Sequence, residues 1–352
     1  MKRLPELPLR QVLVGDVRAR LKDLPDASVD CIITSPPYFA MRDYGHADQM
    51  GAETHVDAWA ADIAAVCGDL ARVLTPVGSL WLNLGDGYSR HLQEGAIKKS
   101  LLLGPQRVAL RLTEAGWLLR NQVVWSKKNP MPSSVADRFT TTHELVYFFT
   151  RQPKYYFDLD AVRAASSSAV TTPLGRSPPA PSLPRSAVPS QGGGKSPRIN
   201  LNHGLTSMKA AGRGSHPLGK NPGDVWRTAT ARYRSVHFAT FPVELVRRPL
   251  LATCPQRLCT TCGQPWRRAP QMLSGRRLAT GPLQPTCGHT GWRPGVVLDP
   301  FIGSGTVAIA AEAHERDWIG IELNPAYAGL ARQRVKDWRV QQQNTKTSRG
   351  EI

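Results

Sequence analysis

The chain has 352 residues, of which 41% are hydrophobic, so it is long enough for one large domain with an accessory segment. Lysine and arginine number 45 against 27 aspartate and glutamate residues, and the net charge of +18 favours a polyanionic partner, nucleic acid before a membrane surface. No apolar run is long enough to cross a bilayer, and the basic start of the chain leads into proline and charge, which is not the pattern expected of a signal peptide. We therefore expect a cytoplasmic protein.

Residues 1–160 alternate short apolar runs with stretches of helical spacing. The predicted strands are 12–14, 29–33, 78–84, 122–125 and 144–149, and the predicted helices lie around 21–24 and at 58–74 and 101–116. Strands that alternate with helices in this way form a sheet with helices on both of its faces. The sequence therefore predicts an α/β fold.

Helical and strand periodicity disappears between Ala161 and Ser235, where serine, proline, glycine and alanine dominate. This segment contains 11 Lys or Arg residues and one acidic residue, Asp224. A stretch of this length without periodicity is a functional loop or is disordered, and its positive charge suits contact with phosphate. Beyond it we predict helices at 241–251, 306–313 and 325–338, strands at 296–298 and 318–321, and a disordered tail at 341–352.

A glycine-rich turn follows the predicted strand at 296–298. It runs Asp299-Pro300-Phe301-Ile302-Gly303-Ser304-Gly305-Thr306, and its small residues let the backbone approach a ligand where the next helix offers free N–H groups. The following strand leads to Glu322, whose carboxylate can accept hydrogen bonds from both hydroxyls of a ribose. The pair predicts a site for a nucleoside-containing cofactor. The alternative is a tight strand-to-helix turn without a ligand.

A second motif, Thr34-Ser35-Pro36-Pro37-Tyr38, directly follows an apolar strand. The two prolines remove backbone donors and stiffen the turn, which directs carbonyl groups outward and holds Tyr38 as a stacking surface. A base taken out of a nucleic-acid helix needs acceptors for its amino group and an aromatic face, which Ser35, the Pro36 carbonyl and Tyr38 could supply. The same pattern is compatible with a surface recognition peptide or a strand terminator.

Together the two motifs resemble those of the beta-class amino-group DNA methyltransferases, in which the catalytic motif precedes the cofactor motif. The resemblance also covers these segments: 15–16, 83–86, 138–157, 219–226 and 241–242. It implies a Rossmann-like fold with a mostly parallel sheet and one antiparallel strand, S-adenosylmethionine as methyl donor, and double-stranded DNA as substrate. The catalytic half would span 1–160, the variable, partly disordered target-recognition region 161–235, and the cofactor-binding half 236–340.

The same resemblance implies roles for individual residues. The catalytic residues would be Ser35, Pro36, Pro37 and Tyr38. The cofactor would be bound by Asp16, Thr34, Asp299, Pro300, Phe301, Gly303, Ser304, Gly305, Thr306, Glu322 and Asn324. Asp86 is a further candidate on the family match alone, and the alternative is that Asn83-Leu84-Gly85-Asp86 is a strand-end turn. We interpret His143 as a packing or capping residue.

Serine at the first catalytic position is typical of cytosine N4 enzymes in this family, and adenine N6 is the alternative target. A cytosine carbon-5 enzyme is disfavoured because the sequence contains no Pro-Cys dipeptide. Two other functions remain open: a non-catalytic DNA-binding protein with this fold, and a methyltransferase for RNA or a small molecule. A cognate restriction endonuclease is a further possible partner, and the sequence leaves the oligomeric state and the recognition sequence open.

Four of the six cysteines crowd into residues 254–289. Cys259 and Cys262 are spaced as in a zinc knuckle, and Cys287 and His289 complete four ligands for a tetrahedral, structural zinc ion. Cys254 could replace His289 as the fourth ligand, and the alternative to a metal site is a set of reduced, unliganded cysteines. Four arginines in the same insertion are candidates for phosphate contact or for an exposed charged loop: Arg267, Arg268, Arg276 and Arg277.

Overall fold

The computed structural model describes residues 7–165, 216–230, 241–273 and 276–348. Its first elements are β1 (Gln11–Val14), α1 (Val17–Leu21), β2 (Val29–Thr34), α2 (Val56–Val73), β3 (Leu74–Leu84), α3 (Gly104–Glu114), β4 (Leu118–Lys127) and β5 (His143–Thr150). Short 3-10 turns lie at Leu92–Glu94 and Asp160–Val162. The strands and helices predicted for this half are therefore present, with their ends moved by a few residues.

The second half contains β6 (Val225–Thr228), α4 (Val243–Thr253), six short strands, β13 (Val296–Asp299), α5 (Thr306–Ala313), β14 (Asp317–Glu322) and α6 (Pro325–Ser348). The short strands form three two-stranded ribbons. These are β7 (Leu258–Cys259) with β12 (Trp292–Arg293), β8 (Arg267–Arg268) with β11 (Leu283–Gln284), and β9 (Gln271–Leu273) with β10 (Arg276–Leu278).

Two segments differ from the sequence prediction. β6 belongs to the main sheet although it lies inside 161–235, because its main chain pairs with β4. Helix α6 continues to Ser348, so that 341–348 is helical and not a disordered tail. This last part is rich in glutamine, a good helix former, and it extends the helix without an apolar face. Most of the predicted target-recognition region, 166–215 and 231–235, lies outside the described residues.

The main sheet has eight strands in the order β1-β14-β13-β2-β3-β5-β4-β6. β5 pairs antiparallel with both β3 and β4, and the other neighbouring strands pair in parallel. The prediction of a mostly parallel sheet with one antiparallel strand is confirmed. Because β5 runs against its two neighbours, it begins at the edge of the sheet where β3 and β4 end.

Helices cover both faces of the sheet. One core cluster packs α1, α2 and α3 against side chains such as Ile32, and the other packs α4, α5 and α6 against side chains such as Cys31 and Ile33. All six residues of β2 are buried, as expected for a central strand covered on both faces. Helix α2 has apolar residues at helical spacing, and its N-terminus is capped by His55 Nδ1, which accepts the Asp57 N–H over 3.1 Å.

The chain divides into two units. The larger comprises Met1–Val162 and Gly223–Ile352, and it contains the sheet. In the smaller unit, Arg163–Pro222, the described residues include an isolated antiparallel bridge between Ala164 and Lys220. None of the helices in the described part of the chain combines the length and the hydropathy needed to cross a membrane.

Candidate active site

The carboxyl ends of β1, β14, β13 and β2 lie at one edge of the sheet because these strands are parallel neighbours. The catalytic motif follows β2 and the glycine-rich turn follows β13, so the two segments meet at this edge. A cavity of about 270 Å³ lies between them. Its lining includes these predicted site residues: Asp16, Ser35, Pro36, Pro37, Tyr38, Pro300, Phe301, Gly303, Ser304, Thr306, Glu322 and Asn324.

Three predicted cofactor residues lie behind this lining. Thr34 Oγ1 donates to Asp299 Oδ1 over 2.7 Å, and the same oxygen accepts the Phe301 N–H over 3.1 Å. Burial raises the pKa of Asp299 to about 7. Gly305 has a φ of +80° and packs closely against Ala331 of α6. These residues shape the glycine-rich turn from beneath.

Gly303 stands at the centre of the glycine-rich turn and adopts a left-handed φ of +48°. Glu322 lies across from it and uses both carboxylate oxygens: Oε2 accepts the Gly303 N–H over 3.0 Å, and Oε1 accepts the Asn324 N–H over 2.9 Å. Burial raises the pKa of Glu322. Each oxygen retains a lone pair, so Glu322 can fix the turn and still accept a hydroxyl from a ligand.

Two polar residues of the lining also cap helices. Asp16 Oδ1 accepts the Ala19 N–H over 3.0 Å at the start of α1. Asn324 Oδ1 accepts the Ala326 N–H over 2.9 Å at the start of α6, and its Nδ2 donates to the Tyr44 carbonyl over 3.2 Å. Both side chains are therefore held in place before any ligand binds.

A hydrogen-bond network surrounds the catalytic motif. Tyr38 Oη donates to Glu144 Oε2 over 2.7 Å and lies 3.0 Å from Ser35 Oγ. Asn83 Nδ2 donates to Tyr38 Oη over 2.7 Å and to Glu144 Oε2 over 2.8 Å, with a longer contact of 3.4 Å to Ser35 Oγ. Burial, then the charge of Glu144, raises the pKa of Tyr38 well above its usual range, so Tyr38 remains a neutral hydroxyl.

Lys127 and Glu144 form an ion pair on neighbouring strands. Lys127 Nζ lies 2.6 Å from Glu144 Oε1, near the end of β4 and the start of β5. The lysine side chain is 23% exposed and the glutamate side chain 14%, so the pair is largely removed from solvent. Both residues line the cavity.

The Tyr38 ring lies against the backbone of Gly85, just beyond the end of β3. A Cβ atom at Gly85 would be 2.7 Å and 2.9 Å from two carbons of this ring, closer than van der Waals contact allows. The absence of a side chain at Gly85 therefore sets the position of the Tyr38 ring.

The other two candidates lie outside the lining of the cavity. Asp86 Oδ1 accepts the N–H groups of Gly87 over 2.9 Å and Gly104 over 3.2 Å, and so ties a turn to the first residue of α3. Burial raises the pKa of Asp86. His143 is exposed at the start of β5. The Asp86 side chain therefore holds a turn after β3 and is not part of the cavity lining.

The cysteine-rich insertion brings four potential metal ligands together. The ligand atoms of Cys259, Cys262, Cys287 and His289 all lie within 4.8 Å of one another. Pairing of β7 with β12 and a left-handed turn at Gly263 fold the insertion back on itself. Desolvation opposes ionisation of Cys259, but hydrogen bonds, first from the Cys262 backbone, lower its pKa to about 6.

Cys254 is not part of this cluster, so its prediction as an alternative ligand is wrong. Its side chain is buried in the core beneath α4 and α5, in the same apolar cluster as Cys31 and Val297. Burial raises the pKa of Cys254 well above its usual range. The residue follows the last turn of α4, which directs the thiol into the sheet.

A sequence model of the N6 and N4 DNA methylases matches residues 29–333. The chain belongs to this DNA methylase family. The methylase is 31% identical over 344 residues to the Type II methyltransferase M.Cfr9I of Citrobacter freundii. The similarity covers 92% of this chain and 86% of the relative. It is 28% identical over 347 residues to the Type II methyltransferase M.SmaI of Serratia marcescens, across 92% and 90% of the two chains.

Among solved structures, the methylase is similar to the PvuII DNA methyltransferase, described as cytosine-N4-specific. The TM-score is 0.50 at 18% identity, and the similarity covers 94% of this chain and 93% of that chain. This similarity supports the α/β fold with its mostly parallel sheet. These relatives identify a DNA methyltransferase of the amino-group class, which is the family that the sequence motifs resemble.

Sequence reasoning missed Lys127, Asn83 and Glu144 as site residues of the methylase. Glu144 begins a predicted strand, and a residue at that position reaches the catalytic edge only if the strand is antiparallel. The resemblance implied one antiparallel strand without identifying it. The resemblance could therefore have pointed to Glu144, but only together with the order of the strands in the sheet.

Proposed function

We propose that this methylase transfers a methyl group from S-adenosylmethionine to the exocyclic N4 of a cytosine that is flipped out of duplex DNA. One observation carries the proposal: the Ser35–Tyr38 motif and the glycine-rich turn with Glu322 line a single cavity. S-adenosylmethionine supplies an electrophilic methyl group when bound. The residues fit such a ligand because the carboxylate oxygens of Glu322 keep lone pairs that can accept a ligand hydroxyl, and Gly303 lines the cavity without a side chain to fill it.

On the acceptor side of the cavity, Ser35 Oγ and the Pro36 carbonyl accept hydrogen bonds from the amino group of the base. This contact frees the nitrogen lone pair from the ring for in-line attack, so no covalent enzyme intermediate is needed. The exposed face of Tyr38 stacks on the base. Ser35 at the first position of the motif favours cytosine N4, and adenine N6 remains the alternative target.

The test is methylation of duplex DNA with labelled S-adenosylmethionine, followed by digestion to nucleosides and mass spectrometry. The expected product is N4-methylcytosine. N6-methyladenine as the sole product would identify the adenine alternative, and DNA binding without label transfer would identify a non-catalytic DNA-binding protein. A variant with a blocked glycine turn, Gly303→Trp, is the inactive control.

We also propose that Cys259, Cys262, Cys287 and His289 hold one structural zinc ion. Cysteine and histidine are the usual ligands of a tetrahedral structural zinc ion, and these four ligand atoms all lie within 4.8 Å of one another. The metal would fix an insertion whose strands are only two or three residues long.

Metal analysis of protein purified without chelators tests this site. One zinc per chain is expected, and Cys262→Ser should lose it, whereas Cys67→Ala, a buried cysteine of α2, should retain it. Substoichiometric zinc in the unaltered protein would overturn the assignment.

We further propose that 161–235 contributes target choice and phosphate contacts, as its excess of basic residues suggests.

The relatives are named Type II methyltransferases, which supports a role beside a cognate restriction endonuclease. Sequencing methylated DNA from cells that express the protein would report the site. If that DNA remains sensitive to every endonuclease that cuts at the methylated site, the protective role is wrong.

A further inference from the structure

The carboxylate of Glu144 is joined to the catalytic serine through the Tyr38 hydroxyl. A carboxylate oxygen can only accept hydrogen bonds, so the single Tyr38 proton points to Glu144 Oε2 over 2.7 Å. Tyr38 Oη is then left with two lone pairs. Asn83 Nδ2 uses one of them over 2.7 Å, and Ser35 Oγ, at 3.0 Å, uses the other.

The direction of each hydrogen bond between Glu144, Tyr38 and Ser35 is therefore fixed by the carboxylate. Because Tyr38 donates its proton to Glu144, the Ser35 proton points to Tyr38. Asn83 Nδ2 makes a long contact of 3.4 Å with Ser35 Oγ, which leaves a lone pair of the serine able to accept from the cavity. Lys127 Nζ contacts the other carboxylate oxygen over 2.6 Å, which keeps Oε2 directed at Tyr38. Among the cavity-lining carboxylates that the structure describes, Glu144 is the one hydrogen-bonded to the catalytic motif.

We infer that Glu144 is the terminal acceptor of the proton that the target amino group loses, through a relay formed by Ser35 and Tyr38. The inference rests on the proposed methyl transfer. As the amino nitrogen bonds to the methyl carbon, the carbon–sulfur bond breaks and the nitrogen becomes positively charged. Its proton passes to Ser35 Oγ, the Ser35 proton passes to Tyr38 Oη, and the Tyr38 proton passes to Glu144 Oε2. Glu144 releases that proton to water after the product leaves.

The relay explains why the catalytic motif can work with serine at its first position. A serine hydroxyl is a weak base, so it accepts a proton only if it can release its own to a stronger base at the same time. Glu144 supplies that base from the antiparallel strand β5. The titratable groups in contact with Glu144 are Lys127 from β4 and Tyr38 from the loop after β2, and the neutral amide of Asn83 contacts it from β3.

The first experiment measures single-turnover methylation by Glu144→Gln with saturating S-adenosylmethionine and DNA. The rate should fall by about 10²- to 10⁴-fold, the usual contribution of a general base, with affinity for both ligands retained. The wild-type rate should decrease in acid, and this acid limb should be missing in the variant. Glu114→Gln, an exposed glutamate at the end of α3, is the matched control.

The second experiment tests whether the groups act in series. Tyr38→Phe keeps the ring and removes the hydroxyl, and it should lower the rate about as much as Glu144→Gln. The double variant should be no slower than either single variant, because one broken step already interrupts the relay. If Glu144→Gln folds poorly, Tyr38→Phe alone still tests the relay, because an unchanged rate in that variant would exclude it.

Three outcomes would overturn the inference: an unchanged rate in Glu144→Gln, a slower variant that keeps the acid limb, or rate losses that multiply in the double variant. The second of these would identify Glu144 as a positioning residue. If the wild-type protein transfers no methyl group to DNA, the proposed function fails as well. If wild type methylates DNA and Glu144→Gln does so equally fast, the relay alone fails.

Discussion

Thr34 donates a hydrogen bond to Asp299 over 2.7 Å although the two residues are 265 positions apart in the chain. The bond joins the last residue of β2 to the last residue of β13, which are the first residues of the two motifs on either side of the cavity. Both side chains are buried, with 1% exposure each. The alignment of the Ser35–Tyr38 segment with the glycine-rich turn therefore depends on a contact that is shielded from solvent.

The Asp299 carboxyl makes stability depend on pH. Its folded-state pKa is about 7, above the ordinary value of 3.8, so it stabilises the fold below about pH 4 and loses this contribution as the pH rises through 7. Asp299→Asn lacks this dependence. The free energy of unfolding of the variant minus that of wild type should increase by up to about 4 kcal/mol as the pH rises from 4 to 8. Urea denaturation measures it, with exposed Asp69→Asn as control, and a difference independent of pH would contradict the raised pKa.

Gly85→Ala should lower the rate of methylation and leave S-adenosylmethionine affinity unchanged. The added Cβ would meet the Tyr38 ring at 2.7 Å, so the ring must move away from the position in which it stacks on the base. Gly87→Ala is the matched control, because the nearest atom to its Cβ is a Leu102 methyl group 3.8 Å away. Equal rates for both variants would show that the position of Tyr38 is not critical. Single-turnover kinetics provides the measurement.

Glu322→Ala should weaken the binding of S-adenosylmethionine. The substitution removes the acceptors that hold the N–H groups of Gly303 and Asn324 and that face a ligand hydroxyl. Hydrogen bonds to a charged group contribute about 1.5 to 3 kcal/mol, so we expect a roughly 10- to 100-fold rise in Kd. Isothermal titration measures the Kd, with Glu114→Ala as control. An unchanged Kd would place the cofactor elsewhere.

Neutralising Arg227, Arg232 and Arg234 together should weaken DNA binding and flatten its dependence on salt. Each phosphate contact that is lost reduces the number of counterions released, and the slope of log affinity against log salt falls by about 0.9 per contact. Arg227 is exposed on β6, and the other two lie outside the described residues. Fluorescence anisotropy at several salt concentrations tests this prediction. An unaltered slope would mean that these arginines do not contact the DNA backbone.

The sequence predicted those parts of the site that are continuous in the chain. The glycine-rich turn and Glu322 belong to one strand-turn-helix-strand unit, so their relation is local. Lys127 and Glu144 face each other only because β5 is antiparallel, and no spacing in the sequence encodes that register. The strand β6 was missed because four residues, with only Trp226 buried, are too few to show a period.

The order of the strands also matters while the chain is being made. β2 lies between β3 and β13, and its residues Cys31 and Ile32 pair with Val297 and Leu298 near the other end of the chain. Synthesis proceeds from the amino end, so β2 leaves the ribosome long before β13 exists. During that interval an apolar strand has an open edge, where unpaired main-chain groups can join another chain. The nascent amino-terminal half therefore needs protection from aggregation until the last part of the chain has been translated.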